Sequence, residues 1–152
     1  MRRDAAEMWR LARKSVDPNS PYSYLMLEEY FSDTCAVAEL DDEMVGFVTG
    51  FRPFSHPETL FIWQIAVDES TQGMGIAGQL LDHVVKRPHV PRLRYLEATV
   101  TPSNEQSIRL FRGFARRWET ECVEEELFAD SDFPDDTSDN HEAEVRFRIG
   151  AL

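Results

Sequence analysis

Lysine is almost missing from this chain: Lys14 and Lys86 stand beside 14 arginines, and these 16 cations face 28 Asp and Glu. The net charge of −12 repels a phosphate backbone or an anionic bilayer, which argues against a general nucleic-acid or membrane-surface binder. An acidic, Lys-poor surface suits a salt-rich cytoplasm, although a biased genomic base composition would produce the same pattern. Cysteine is scarce too. Cys35 and Cys122 lie far apart without metal-ligand spacing, so they read as reduced thiols, and no metal is expected. No apolar run approaches the ~20 residues of a membrane span. The opening MRRDAAEMWRLARK has no apolar signal-peptide core, so a cytoplasmic location is expected. What is present is enough for one core: 152 residues, 42% of them hydrophobic, predict a single domain over 1–152.

Residues 4–14 carry Ala5, Met8, Trp9 and Ala12 at helical spacing, with Asp4 as the expected N-cap. After the turn Asp17-Pro18-Asn19-Ser20-Pro21, Ser20 is placed to cap a second helix reaching Phe31. Residues 34–40 and 44–51 predict an antiparallel hairpin around Asp41-Asp42-Glu43. Leu60–Val67 (LFIWQIAV) is a nearly continuous apolar strand, hence central and covered on both faces. A helix from Gly75 to Lys86, a strand over 94–101, a helix over 104–115 and strands over 118–128 and 142–149 follow. An acidic loop, ADSDFPDDTSDNH, separates the last two strands. The order predicts an α/β domain with a mixed, mostly antiparallel sheet, and one crossover makes strands 60–67 and 94–101 parallel neighbours.

The most informative segment is Gln72-Gly73-Met74-Gly75-Ile76-Ala77, between a buried strand and a helix. Two glycines allow close backbone approach, and a helix start offers free N–H groups to a pyrophosphate. The plain alternative is a tight turn. A dinucleotide fingerprint lacks its third glycine at the right place, and no Walker sequence is present.

The pattern Q-x-x-G-x-A resembles the acetyl-CoA loop of the GNAT superfamily of N-acetyltransferases, and the element order resembles that fold. Four further segments resemble the diaminobutyrate acetyltransferase family, which acts in ectoine biosynthesis: D-P-N-S-P-Y (17–22), L-F-I-W-Q-I-A-V (60–67), Y-L-E-A-T-V-T-P-S-N (95–104) and H-E-A-E (141–144). The likeness runs from about residue 2 to residue 149. Gln72 stands where this family more often has Arg, and Ala98 where Thr is common. The N-terminal edge strand of a GNAT fold is not seen: either the start lies upstream or the strand is lacking.

The resemblance implies acetyl transfer from acetyl-CoA to the side-chain amine of L-2,4-diaminobutyrate, in a homodimer and by direct attack within a ternary complex. It assigns the cofactor to the amides of Ile65, Ala66 and Val67, to Gln72, Gly73, Met74, Gly75, Ile76 and Ala77, and to Asn104 and Ser107. These strand amides must be free of the sheet; complete pairing is the alternative, and Asn104 has simple capping as its own. Acceptor contacts fall on Asp17, Tyr22, Trp63, Thr99 and Glu142, with helix capping, core packing or solvated surface as the alternatives. An amine of pKa near 10 must lose a proton at a cost of roughly 4 kcal/mol at pH 7, so a base is required. Glu97, His141 and Glu142 are the catalytic candidates. A carboxylate inside a buried strand is costly unless paired, so Glu97 is either catalytic or a satisfied structural group. H-E-A-E lacks the second His of a zinc site. Phe111 occupies the position of the Tyr that often protonates the leaving thiolate, and it has no proton to give. Two other readings are another small-amine acetyltransferase and a catalytically silent acyl-CoA-binding module.

Overall fold

The computed structural model describes residues 2–16, 18–134 and 141–152. Its elements are α1 (Arg2–Ser15), α2 (Pro21–Tyr30), β1 (Ala36–Leu40), β2 (Glu43–Phe51), β3 (Thr59–Val67), α3 (Ile76–Lys86), β4 (Tyr95–Val100), α4 (Glu105–Arg117), β5 (Glu121–Phe128) and β6 (Glu144–Gly150). The six strands form one sheet in the order β1-β2-β3-β4-β6-β5, and only β3 and β4 run parallel. This is the mixed, mostly antiparallel sheet that the sequence predicts. No described helix is long and apolar enough to cross a membrane.

Two apolar layers cover the sheet. On one face α3 and α4 bury Leu81, Val84, Phe111 and Phe114 against Val48, Leu60, Ile62, Leu96 and Phe147. On the other, α1 and α2 bury Ala5, Met8, Leu11, Ala12 and Tyr24 against Phe47 and Ala66. The spacing of 5, 8 and 12 is the helical stripe expected of α1. Trp9 flanks that stripe, half-buried.

Two boundaries differ from expectation for local reasons. Asp4 is not a cap: α1 begins at Arg2, and the amide of Ala5 is taken by Glu28 Oε2 of α2 at 3.0 Å. Ser20 does cap α2, accepting from the Ser23 amide. Trp118 belongs to the end of α4 rather than to β5, because its ring stacks on Phe114 at 5.2 Å and its indole N–H donates to Asp82. Both cysteines are free thiols, and burial pushes each above its ordinary pKa.

Candidate functional site: a cleft where the parallel strands part

The β3–β4 ladder is short. It pairs Thr59–Ile62 with Tyr95–Ala98 and stops. Beyond it, β3 continues along β2 to Val67 and β4 continues along β6 to Val100, so the two strands separate like an opened V. Trp63 sits at the break. The β2 register passes from Gly50–Ile62 to Thr49–Gln64, leaving Trp63 as a bulge without a partner. After the bulge the side chains exchange faces: Leu60 and Ile62 join the α3–α4 layer, whereas Ala66 joins the α1–α2 layer. Because β4 has left, the β3 edge at Ile65–Val67 has no ladder on that side, so free amides replace complete pairing as the better account.

A cleft of about 790 Å³ opens there. Ile65, Ala66, Val67, Gln72, Gly73, Gly75, Ile76, Ala77, Asn104 and Ser107 all line it. Of the residues assigned to the cofactor, Met74 alone is not in the wall; its side chain is exposed. Gly73 and Gly75 have φ of +84° and +75°, a region that side-chain-bearing residues avoid. A Cβ at Gly73 would meet nothing within 4 Å, and one at Gly75 only Gln79 Nε2 at 3.8 Å. Both glycines therefore face open space where a ligand can approach the backbone. Gly75 is the N-cap of α3 and supplies no side-chain acceptor, so the positive helix end is left to an anion. Asp68 braces the loop by accepting from the amide and hydroxyl of Ser70, which hold its carboxyl below the usual range.

The far wall is α4. Asn104 caps it, Oδ1 accepting from the Ser107 amide at 3.1 Å, so Asn104 both caps and lines the cleft. Gln106, Arg109, Leu110, Gly113 and Arg117 continue that wall and were missed from the sequence. Their helical spacing was the available signal. Gln106 donates to Gln72 Oε1 at 3.4 Å, while Arg117 crosses to Asp82 at 2.9 Å. Arg109 and Arg117 give the cleft cations within a chain of net charge −12. A double-glycine loop, an uncapped helix start, a free strand edge and two arginines fit an extended anionic thioester cofactor. Phe111 points away, buried against Phe147, and Leu110 occupies the cleft face. Neither carries a proton for a leaving thiolate.

Alternation places Glu97 and Thr99 on the sheet face opposite the α3–α4 layer, in register with Arg148 and Arg146. Glu97 is buried and ion-paired with Arg148, whose guanidinium also lies 3.8 Å over the Tyr95 ring. The structural alternative therefore fits Glu97 better than the catalytic one. Trp63 is 45% exposed, so it is not core. Tyr22 is exposed on the first turn of α2, and Asp17 lies outside the described residues. Glu142 accepts from Ser103 Oγ, which ties it to the loop between β4 and α4. His141 stacks on Phe133 at 3.8 Å, with Nδ1 2.8 Å from the Glu142 carbonyl and Nε2 4.0 Å from Glu144. His141 and Glu142 are both exposed, and the Ser103 bond ties the H-E-A-E segment to the loop that follows β4. Tyr24 and Gln64, bonded to each other, were not foreseen.

This cradle is that of an acyl-CoA-dependent N-acetyltransferase. Residues 3–114 match the Acetyltransferase (GNAT) family, to which the chain belongs. Within it, the chain is 48% identical over 150 residues to the L-2,4-diaminobutyric acid acetyltransferase of Halalkalibacterium halodurans, covering 98% of this chain and 78% of that protein. The enzyme of the same name from Marinococcus halophilus is 47% identical over 148 residues, covering 97% and 84%. The diaminobutyrate acetyltransferase EctA from Paenibacillus lautus, solved with L-2,4-diaminobutyric acid and coenzyme A, superimposes with a TM-score of 0.91 at 41% identity, covering 99% of this chain and 90% of that one. The chain is a member of the diaminobutyrate acetyltransferase family.

Proposed function

We propose that the chain transfers an acetyl group from acetyl-CoA to the side-chain amine of L-2,4-diaminobutyrate, a step in making the compatible solute ectoine. The single observation carrying the mechanism is the parting of β3 and β4 beside the double-glycine loop. Acetyl-CoA supplies an activated acyl carbon and a thiolate that leaves readily. The chain's residues do the rest.

Amides at Gly73 to Ala77 and the start of α3 hold the pyrophosphate, with Arg109 and Arg117 adding charge along the cleft. The free edge at Ile65–Val67 hydrogen-bonds the pantetheine arm and polarises the thioester carbonyl. The acceptor enters on the Trp63 side, beside Thr99 and Tyr22, and the family resemblance adds Asp17 to its contacts. Glu142, bonded by Ser103, binds an ammonium group, and His141, whose Nδ1 meets the Glu142 backbone carbonyl, stands beside it to take the proton that the attacking amine must lose. Glu97 acts by holding Arg148 rather than by moving a proton. Attack is direct within a ternary complex, and the thiolate leaves without a side-chain acid, which a thiol pKa near 8.5 permits. One domain spanning 1–152 carries the activity; the family resemblance supports a homodimer and a cytoplasmic location.

Proton NMR of the product from diaminobutyrate and acetyl-CoA tests the assignment. Acetylation of the side-chain nitrogen supports it. Exclusive acetylation of the α-amine would place the acceptor the other way round.

A further inference from the structure

The acceptor of the proposed reaction is an amino acid, and its carboxylate needs a cation that the sequence readings did not supply. The sheet face that carries Glu97 and Thr99 offers two, Arg146 and Arg148 of β6. Arg148 is held by two neighbours on its own face, paired with Glu97 and lying over Tyr95. Arg146 is not. One of its terminal nitrogens donates to Glu125 on the edge strand β5, while its Nε is buried and has no acceptor. Buried donors of this kind are uncommon and call for a partner.

Position adds to this. Arg146 stands directly across the ladder from Thr99, and Thr99 is the next position on that face after Glu97. Glu97 is still paired with Phe61 of β3, whereas Thr99 lies past the last β3–β4 pair, beside the bulge at Trp63. Row by row, therefore, Arg146 is the cation in register with the point where the sheet opens. Its side chain is 31% exposed. Glu125 takes one terminal nitrogen from the outer strand, and the other N–H donors of the planar guanidinium remain for a carboxylate.

From this juxtaposition of Arg146 with Thr99 at the opening of the V, we infer that Arg146 is the receptor for the acceptor's carboxylate and sets the preference for a diamino acid over a plain diamine. The inference rests on the proposed function. Glu142 and Arg146 then bind opposite ends of one substrate, and the distance between them selects chain length.

The test is steady-state kinetics of the wild type, Arg146→Gln and Arg146→Lys on diaminobutyrate and on 1,3-diaminopropane, which lacks the carboxylate. Acetyl-CoA affinity is followed by calorimetry and folding by circular dichroism. Arg146→Gln should lose about 100-fold in kcat/KM on diaminobutyrate and less than about 3-fold on diaminopropane, with acetyl-CoA binding unchanged. Arg146→Lys, which keeps the charge without the fork, should lose about 10-fold on diaminobutyrate alone, and it decides the matter if the Gln variant fails to fold. Equal losses on both amines would make Arg146 structural and overturn the inference while leaving the proposed function standing. A wild type that turns over neither amine would overturn both.

Discussion

The hydroxyl of Tyr24 donates a 2.7 Å hydrogen bond to Gln64 Oε1, locking α2 to the strand whose edge faces the cleft. The same oxygen accepts from the Asn19 amide at 3.3 Å, and the ring packs edge-on against Phe47. Tyr24 is wholly buried, so burial holds its pKa above the ordinary 10.0 and the donor keeps its proton. Removing the hydroxyl with Tyr24→Phe should cost about 1–3 kcal/mol, since it deletes both hydrogen bonds. The pH dependence has a definite sign. A group whose folded pKa is raised contributes stability in full below its unfolded pKa and loses it as pH climbs through the folded value. The wild-type advantage over Tyr24→Phe should therefore shrink above pH 10.0. Urea unfolding of both proteins across that range measures it; a constant difference would mean the phenol's ionisation is not coupled to folding.

Gly75→Ala should uncouple cofactor binding from the fold. At φ +75° the new methyl costs about 1–2 kcal/mol of stability, and the protein itself leaves room for it. The same methyl projects where a pyrophosphate would meet the start of α3, so acetyl-CoA affinity should fall by at least roughly tenfold. Calorimetry on the folded variant decides. Unchanged affinity would remove the loop from the cofactor site.

Phe111→Tyr should not create a general acid. Phe111 is buried against Phe147, so the added hydroxyl has no acceptor and should cost about 1–3 kcal/mol without raising kcat. A kcat gain with retained stability would show that this position does reach the leaving thiolate.

Much of this site was legible because it is local in sequence. Gly73 and Gly75 signal their own positive φ, and the apolar run of β3 followed by a glycine turn and a helix implies a parallel neighbour. The parting of the strands could be anticipated only as one option. It depends on where β4 stops pairing, which is decided by the bulge at Trp63 and by β6 pulling β4 away. Which side of α4 lines the cleft was not legible, because Leu110 and Phe111 are adjacent apolar residues that differ only in the direction they face. Glu97 was suspicious as a buried charge; its explanation, Arg148, lies 51 residues away on a strand whose register no local pattern reveals. The Tyr24–Gln64 bond spans 40 residues and was invisible for the same reason.

Glu142→Gln keeps the shape of the side chain and its bond with Ser103 while removing the charge. It should lower kcat/KM for diaminobutyrate by about 100-fold and leave acetyl-CoA affinity within about threefold, because the charge acts only on the acceptor. Kinetics with both substrates varied provide the check. Near wild-type efficiency would return the H-E-A-E segment to plain surface.

Release of free coenzyme A thiol across a panel of amines shows whether this cleft moves acetyl groups to one diamino acid. Diaminobutyrate should drive rapid release. Ornithine, longer by one methylene, should be slower by about 10–200-fold, and 1,3-diaminopropane slower again because it brings no carboxylate to Arg146. Tight acetyl-CoA binding with no thiol released on any amine would make the protein a silent binder, and a stronger response to an amine other than diaminobutyrate would give it a different acceptor.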